Sequence, residues 1–97
     1  MSIKYTKNFL DKLENIFASS AYHLRYEKGN FKSGYCILKD TKIVIVNKYF
    51  TLEGKINALL DLLKTLDFNP QSFDNQKQQD FLNELKQTEL KLWISHF

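Results

Sequence analysis

The hydrophobic period changes twice along this chain, and that change limits its fold more than any other feature. Phe9, Leu10, Leu13, Ile16 and Phe17 recur at the spacing of one helix face. From Tyr22 the pattern alternates instead. Tyr22, Leu24 and Tyr26 interleave with His23, Arg25 and Glu27, as in a half-buried strand. A second strand runs from about Ser33 to Lys39. Ile43-Val44-Ile45-Val46 is β-branched throughout, which suits a strand covered to some degree on both faces. Helical spacing then returns, first with Leu52, Ile56, Leu59, Leu60, Leu63 and Leu66. It recurs with Phe81, Leu82, Leu85, Thr88, Leu92 and Trp93. The expected class is α+β: a three-stranded antiparallel meander with three main helices, in the order α-β-β-β-α-α. At 97 residues the chain is one domain, residues 1–97.

Local signals set the boundaries. Thr6 or Asn8 can cap the first helix, and Ser19-Ser20 can end it. Gly29-Asn30 and Asp40-Thr41 read as tight hairpin turns. Thr51 can cap the second helix with Glu53 in its first turn, and Asp67-Phe68-Asn69-Pro70 stops it. Ser72 or Asp74 can start the third.

Two-residue turns fix a register. The first hairpin pairs Leu24 with Tyr35, His23 with Cys36 and Tyr22 with Ile37. The second pairs Leu38 with Ile43 and Cys36 with Ile45. Side chains alternate between faces. One face then carries Tyr22, Leu24, Tyr26, Tyr35, Ile37, Val44 and Val46, and is core. The other carries His23, Arg25, Glu27, Lys32, Gly34, Cys36, Leu38, Ile43, Ile45 and Asn47. It mixes apolar and ionisable groups and is either solvated or partnered. A bulge near residues 31–34 would flip the second strand and separate His23 from Cys36.

That second face holds the candidate chemistry. A Cys36 thiolate paired with a His23 imidazolium is a nucleophile in principle, because a positive partner lowers the thiol pKa. The plain alternative is that Cys36 is a small hydrophobe on a strand. A metal site of His23, Glu27 and Cys36 is geometrically conceivable. The chain nevertheless has only two histidines and one cysteine and lacks a His-x-x-x-His or Cys-x-x-Cys spacing, so no metal and no cofactor is expected. Glycine-rich phosphate loops are also missing from the sequence. The hairpin tip, with Arg25, Lys28, Phe31 and Lys32, mixes cations and aromatics as single-stranded nucleic-acid binders do. It offers few groups for that role once Tyr22, Tyr26 and Tyr35 are assigned to core.

Composition excludes further classes. Hydrophobic residues make up 43% and charged residues 26%, which supports a packed core under an ordinary soluble surface. One cysteine rules out an internal disulfide framework and makes a reducing, cytoplasmic setting the expectation. The N-terminal residues lack a signal-peptide apolar region, and no stretch has the length of a membrane span. Residues 1–55 carry ten cations against five acids, and residues 56–97 four against six. Either the basic, tyrosine-rich part meets an anionic partner, or the two parts complement each other within the fold or across a dimer. Trp93, Ile94 and Phe97 read as a docked helix end or as a homodimer contact.

Lys42-Ile43-Val44-Ile45-Val46-Asn47 followed by Thr51-Leu52-Glu53-Gly54-Lys55-Ile56 resembles part of the zincin-type zinc peptidases. There a strand ending in Asn precedes the helix bearing His-Glu-x-x-His. At the matching place stands Asp61-Leu62-Leu63-Lys64-Thr65, without the histidines or the glutamate. The resemblance therefore implies a metal-free scaffold and no peptidase activity. The whole chain also looks like small uncharacterised bacterial α+β proteins, a likeness that implies no activity. The expected role is a small soluble interaction or ligand-binding module without enzymatic activity, with a protein or small-molecule partner. Its expected binding residues are Arg25, Glu27, Asn30, Lys32 and Asn47. The alternatives are a small cysteine-dependent enzyme using Cys36 with His23 and a nucleic-acid accessory protein.

Overall fold

The computed structural model describes residues 3–28 and 35–94, with side chains in the last helix up to Gln87. Helix α1 spans Lys7–Ala18, and its N-cap is Thr6, whose hydroxyl accepts from the Phe9 N–H. It buries Phe9, Leu10, Leu13, Ile16 and Phe17, the stripe read from the sequence. Strands β1 (His23–Glu27), β2 (Tyr35–Leu38) and β3 (Ile43–Asn47) follow. Helix α2 (Leu52–Leu66) is capped by the Thr51 hydroxyl, which accepts from the Gly54 N–H. Asp67, in the left-handed region with φ of 49°, ends it and returns its N–H to the Leu63 carbonyl.

A 3₁₀ turn at Pro70–Ser72 separates α2 from α3 (Gln76–Ile94). The expected caps Ser72 and Asp74 do not start α3. Ser72 is drawn into the 3₁₀ turn, where its hydroxyl donates to the Asn69 carbonyl. Asn75 caps α3 instead, its Oδ1 accepting from the N–H groups of Lys77 and Gln78.

The class is α+β, with three helices and a three-stranded sheet, but the sheet is mixed rather than an antiparallel meander. Its spatial order is β1-β3-β2. β2 and β3 pair antiparallel, with Leu38 opposite Ile43 and Cys36 opposite Ile45, as the second turn required. The first hairpin does not form. β1 lies on the far side of β3 and parallel to it, with His23 opposite Ile43 and Glu27 opposite Asn47. The reason is the composition of the strands. β3 is apolar and β-branched at four consecutive positions, so it gains most from a central place with neighbours on both edges. β1 alternates charged residues and tolerates an edge. The expected turn residues Gly29-Asn30 lie outside the described residues.

The strand order has a direct chemical test. Ile45→Cys places a second thiol opposite Cys36, at a spacing a disulfide spans, and should oxidise to an internal bridge. His23→Cys would do the same in a meander. In the mixed sheet two strand spacings, roughly 10 Å, separate the positions, so free-thiol counting should find both thiols reduced. A bridge in the His23→Cys protein would contradict the order β1-β3-β2.

One sheet face packs on the helices. Val44 and Val46 are fully buried in a cluster with Leu13, Ile16, Phe17, Ile56, Leu59 and Leu62, and Leu24, Tyr26, Tyr35 and Ile37 lean on it. Phe68 links the layers: its ring meets those of Phe17, Tyr22 and Phe73 at 5.7–6.2 Å. Helix α3 touches α1 through the side chains of its first turns. Gln78 donates to the Asn15 carbonyl and Ser19 hydroxyl near the end of α1, while Phe81 stacks edge-on with Phe9 near its start.

Candidate functional site

Among the described residues no helix covers the second sheet face, whose membership follows from strand alternation. Residues of odd number in β1 and β3, and of even number in β2, point away from the helices. They form cross-strand rows: His23, Ile43 and Leu38, then Arg25, Ile45 and Cys36, then Glu27 and Asn47. Leu38, Ile43, Ile45 and Cys36 take no part in the core cluster. Leu38 is 41% exposed and Ile43, Ile45 and Cys36 are half-buried, screened by their strand neighbours. The result is an aliphatic strip across the two strands β3 and β2, edged on the β1 side by His23, Arg25 and Glu27.

The polar edge is partly satisfied by itself. Arg25 donates to Glu27 at 2.7 Å in a solvated pair, which leaves Arg25 no unbalanced charge. The Asn47 Oδ1 accepts from the Tyr49 N–H at 3.0 Å as the chain leaves β3. That bond gives Asn47 a turn-forming role beside any contact with a partner. The next backbone group continues the ladder, with the Lys48 N–H donating to the Glu27 carbonyl. Of the five expected binding residues, Arg25, Glu27 and Asn47 share this face, whereas Asn30 and Lys32 lie outside the described residues. Cys36 and His23 are on the same face but in different rows and on opposite edges, with β3 between them. Among the described residues no group of three metal-ligating side chains comes together.

The covered face is tied to the helices by two phenols. Tyr26 on β1 donates to Glu14 on α1, and Lys55 on α2 lies 5.2 Å over its ring. Burial pushes the Tyr26 phenol well up, and the Glu14 acceptor adds to the shift. Burial also raises Tyr35 on β2, with the charge of Asp61 on α2 adding to it. The folded state holds these protons while the unfolded chain releases them near pH ~10. The unfolded state then binds fewer protons, so stability is full below that pH and declines as pH rises above it. Tyr26→Phe should flatten that decline in alkaline denaturation curves, and at neutral pH it should cost about 1–3 kcal/mol for the lost bond to a charged acceptor. An unchanged alkaline slope would remove Tyr26 from this account.

A second feature was not legible in the sequence. A groove of about 350 Å³ opens between α2 and α3, floored by Leu60, Leu63, Phe68, Leu82 and Leu85. A Tyr5 hydroxyl bond to Asn57 and a Lys86–Asp67 ion pair at 3.0 Å flank it. Its walls come from segments far apart in the chain, so no local pattern marks it. Among the described residues no helix is long and apolar enough to cross a membrane. No protein-family model, curated protein or solved structure matches this chain.

Proposed function

We propose that this chain is a small non-enzymatic interaction module that recognises a protein partner through its uncovered sheet face. One observation carries the reading: Leu38, Ile43, Ile45 and Cys36 form an aliphatic strip that stays outside the core, edged by Arg25, Glu27 and Asn47. A flat strip with a polar rim has the anatomy of a protein contact more than that of an enclosing small-molecule site. The strand order gives the nucleophilic reading no support, because β3 stands between Cys36 and His23. Nucleic-acid binding gains nothing either, since Tyr22, Tyr26 and Tyr35 lean on the core and Arg25 is paired with Glu27.

The test is a comparative affinity purification with the wild-type chain and Ile45→Asp, checked first for equal circular dichroism. A protein retained by the wild type and lost with Ile45→Asp supports the reading. Identical retained sets refute it. The enzymatic alternative is tested separately by the pH dependence of Cys36 alkylation. An ordinary thiol labels with a midpoint near ~8.5, and an activated one well below it.

A further inference from the structure

The ladder between β1 and β3 shows which way the backbone of β1 points. His23 donates its N–H to the Lys42 carbonyl, and the Glu27 carbonyl accepts from the Lys48 N–H. Backbone groups alternate sides along a strand, so His23, Arg25 and Glu27 serve β3. Leu24 and Tyr26 then direct their N–H and carbonyl groups to the opposite edge. β1 is an outer strand, and among the described residues no strand pairs with that edge. A groove of about 450 Å³ runs beside it. Glu14, Phe17 and Ala18 of α1 form one wall, and Tyr22, Leu24 and Tyr26 form the other. Asp11 is exposed one turn before Glu14 on the same helix face and extends the α1 wall. Among the described residues neither carboxylate has an ion-pair partner; Lys55 lies over the Tyr26 ring without pairing with Glu14.

An edge with open backbone groups beside a helix-walled groove is the setting for strand addition. Such groups are satisfied by another backbone, and the groove takes every second side chain of the added strand. We propose that β1 binds an extended segment of a partner protein as an added antiparallel strand, with alternate side chains seated between β1 and α1. Antiparallel addition gives the slightly more stable ladder. β1 runs back along α1, since Tyr22 shares the groove with Ala18 while Tyr26 bonds to Glu14. An antiparallel segment therefore passes Asp11 and Glu14 before it reaches Phe17 and Ala18. Charge then sets its pattern: a basic inward residue, and an apolar inward residue two positions later. The β1 strand of a second copy does not meet this requirement, because its inward Leu24 and Tyr26 are held against its own core. The added strand uses the edge and the helix side of β1. It leaves the aliphatic strip alone and stands or falls independently of the reading given to that face.

Amide hydrogen exchange of the free full chain tests the edge. The Arg25 and Glu27 amides should be protected, and those of Leu24 and Tyr26 should exchange about tenfold faster or more. Equal protection of all four overturns the proposal, because the edge is then already paired. So does protection of Leu24 and Tyr26 that disappears on dilution, which marks a second copy. Linear peptides of roughly ten residues displayed on phage supply the ligand probe. Selected peptides should carry Lys or Arg two positions before an apolar residue and should slow exchange at Leu24 and Tyr26. The tightest peptide is then remade with N-methyl groups at alternate residues, in both phases. One phase should abolish binding and the other retain it, since only one removes the donors that face β1. Ala18→Arg, at an exposed position on the groove wall, should weaken binding about tenfold without burdening the core. Ile45→Asp should bind the peptide unchanged, which separates this inference from the sheet-face reading. Failure to select any peptide over bare support overturns the proposal. Binding that ignores both N-methyl phases does so too, as does binding lost in Ile45→Asp but retained in Ala18→Arg.

Discussion

Val44→Asp should unfold the chain at ordinary temperature, while Ile45→Asp one residue away should leave it folded. Val44 is fully buried among the helices, in the central strand. An aspartate there puts an unpaired carboxylate into the core or forces it to stay protonated, and the cost exceeds about 4 kcal/mol. Ile45 lies on the same strand, between the same two neighbouring strands, and has the same β-branched chemistry. Its side chain faces away from the helices, so the cost is only that of a poor strand former and lost strand-neighbour contact, about 1 kcal/mol. Paired urea melts measure both. Equal losses would mean that the outward face is covered within the monomer, and the interaction reading would lose its surface.

The second large effect is Phe17→Ala. Phe17 is fully buried on α1, and its ring meets Phe68 edge-on at 5.7 Å. Phe68 in turn reaches Tyr22 and Phe73, so the cavity opens where α1 meets the residue before β1 and the residue after the 3₁₀ turn. A buried Phe truncated to Ala costs about 3–5 kcal/mol, against about 5–15 kcal/mol for a whole domain. A fall in melting temperature of roughly 15 °C or more is expected. A loss under about 1.5 kcal/mol would show that Phe68 collapses into the space and that the rings do not form a rigid junction.

The helices were legible because both their signals are local. The α1 stripe from Phe9 to Phe17 and the caps Thr6 and Thr51 are set within a few residues, and the structure uses each of them. The two sheet faces were legible for a similar reason: alternation fixes a side regardless of which strand is the neighbour. This is why Arg25, Glu27 and Asn47 fall together despite the changed strand order. Strand order is not local. Gly29-Asn30 resembles a hairpin turn, yet the pairing partner of β1 is decided by β3, some twenty residues further on. A sign of this was present in the β-branched run itself, which fits a central strand better than an edge. The third cap was missed because Pro70 recruits Ser72 into a 3₁₀ turn and leaves the capping to Asn75. The groove was invisible because Tyr5, Asn57 and Leu85 share no sequence pattern.

The order β1-β3-β2 also bears on the sequence of events during synthesis. The strand that both others need is the last of the three to be made. A nascent chain that has released only α1, β1 and β2 has two edge strands and nothing to place between them. Every sheet hydrogen bond waits for residues 43–47 to leave the ribosome. From that moment the β2–β3 pair can close locally, and β1, held until then only by α1, can dock against its exposed edge.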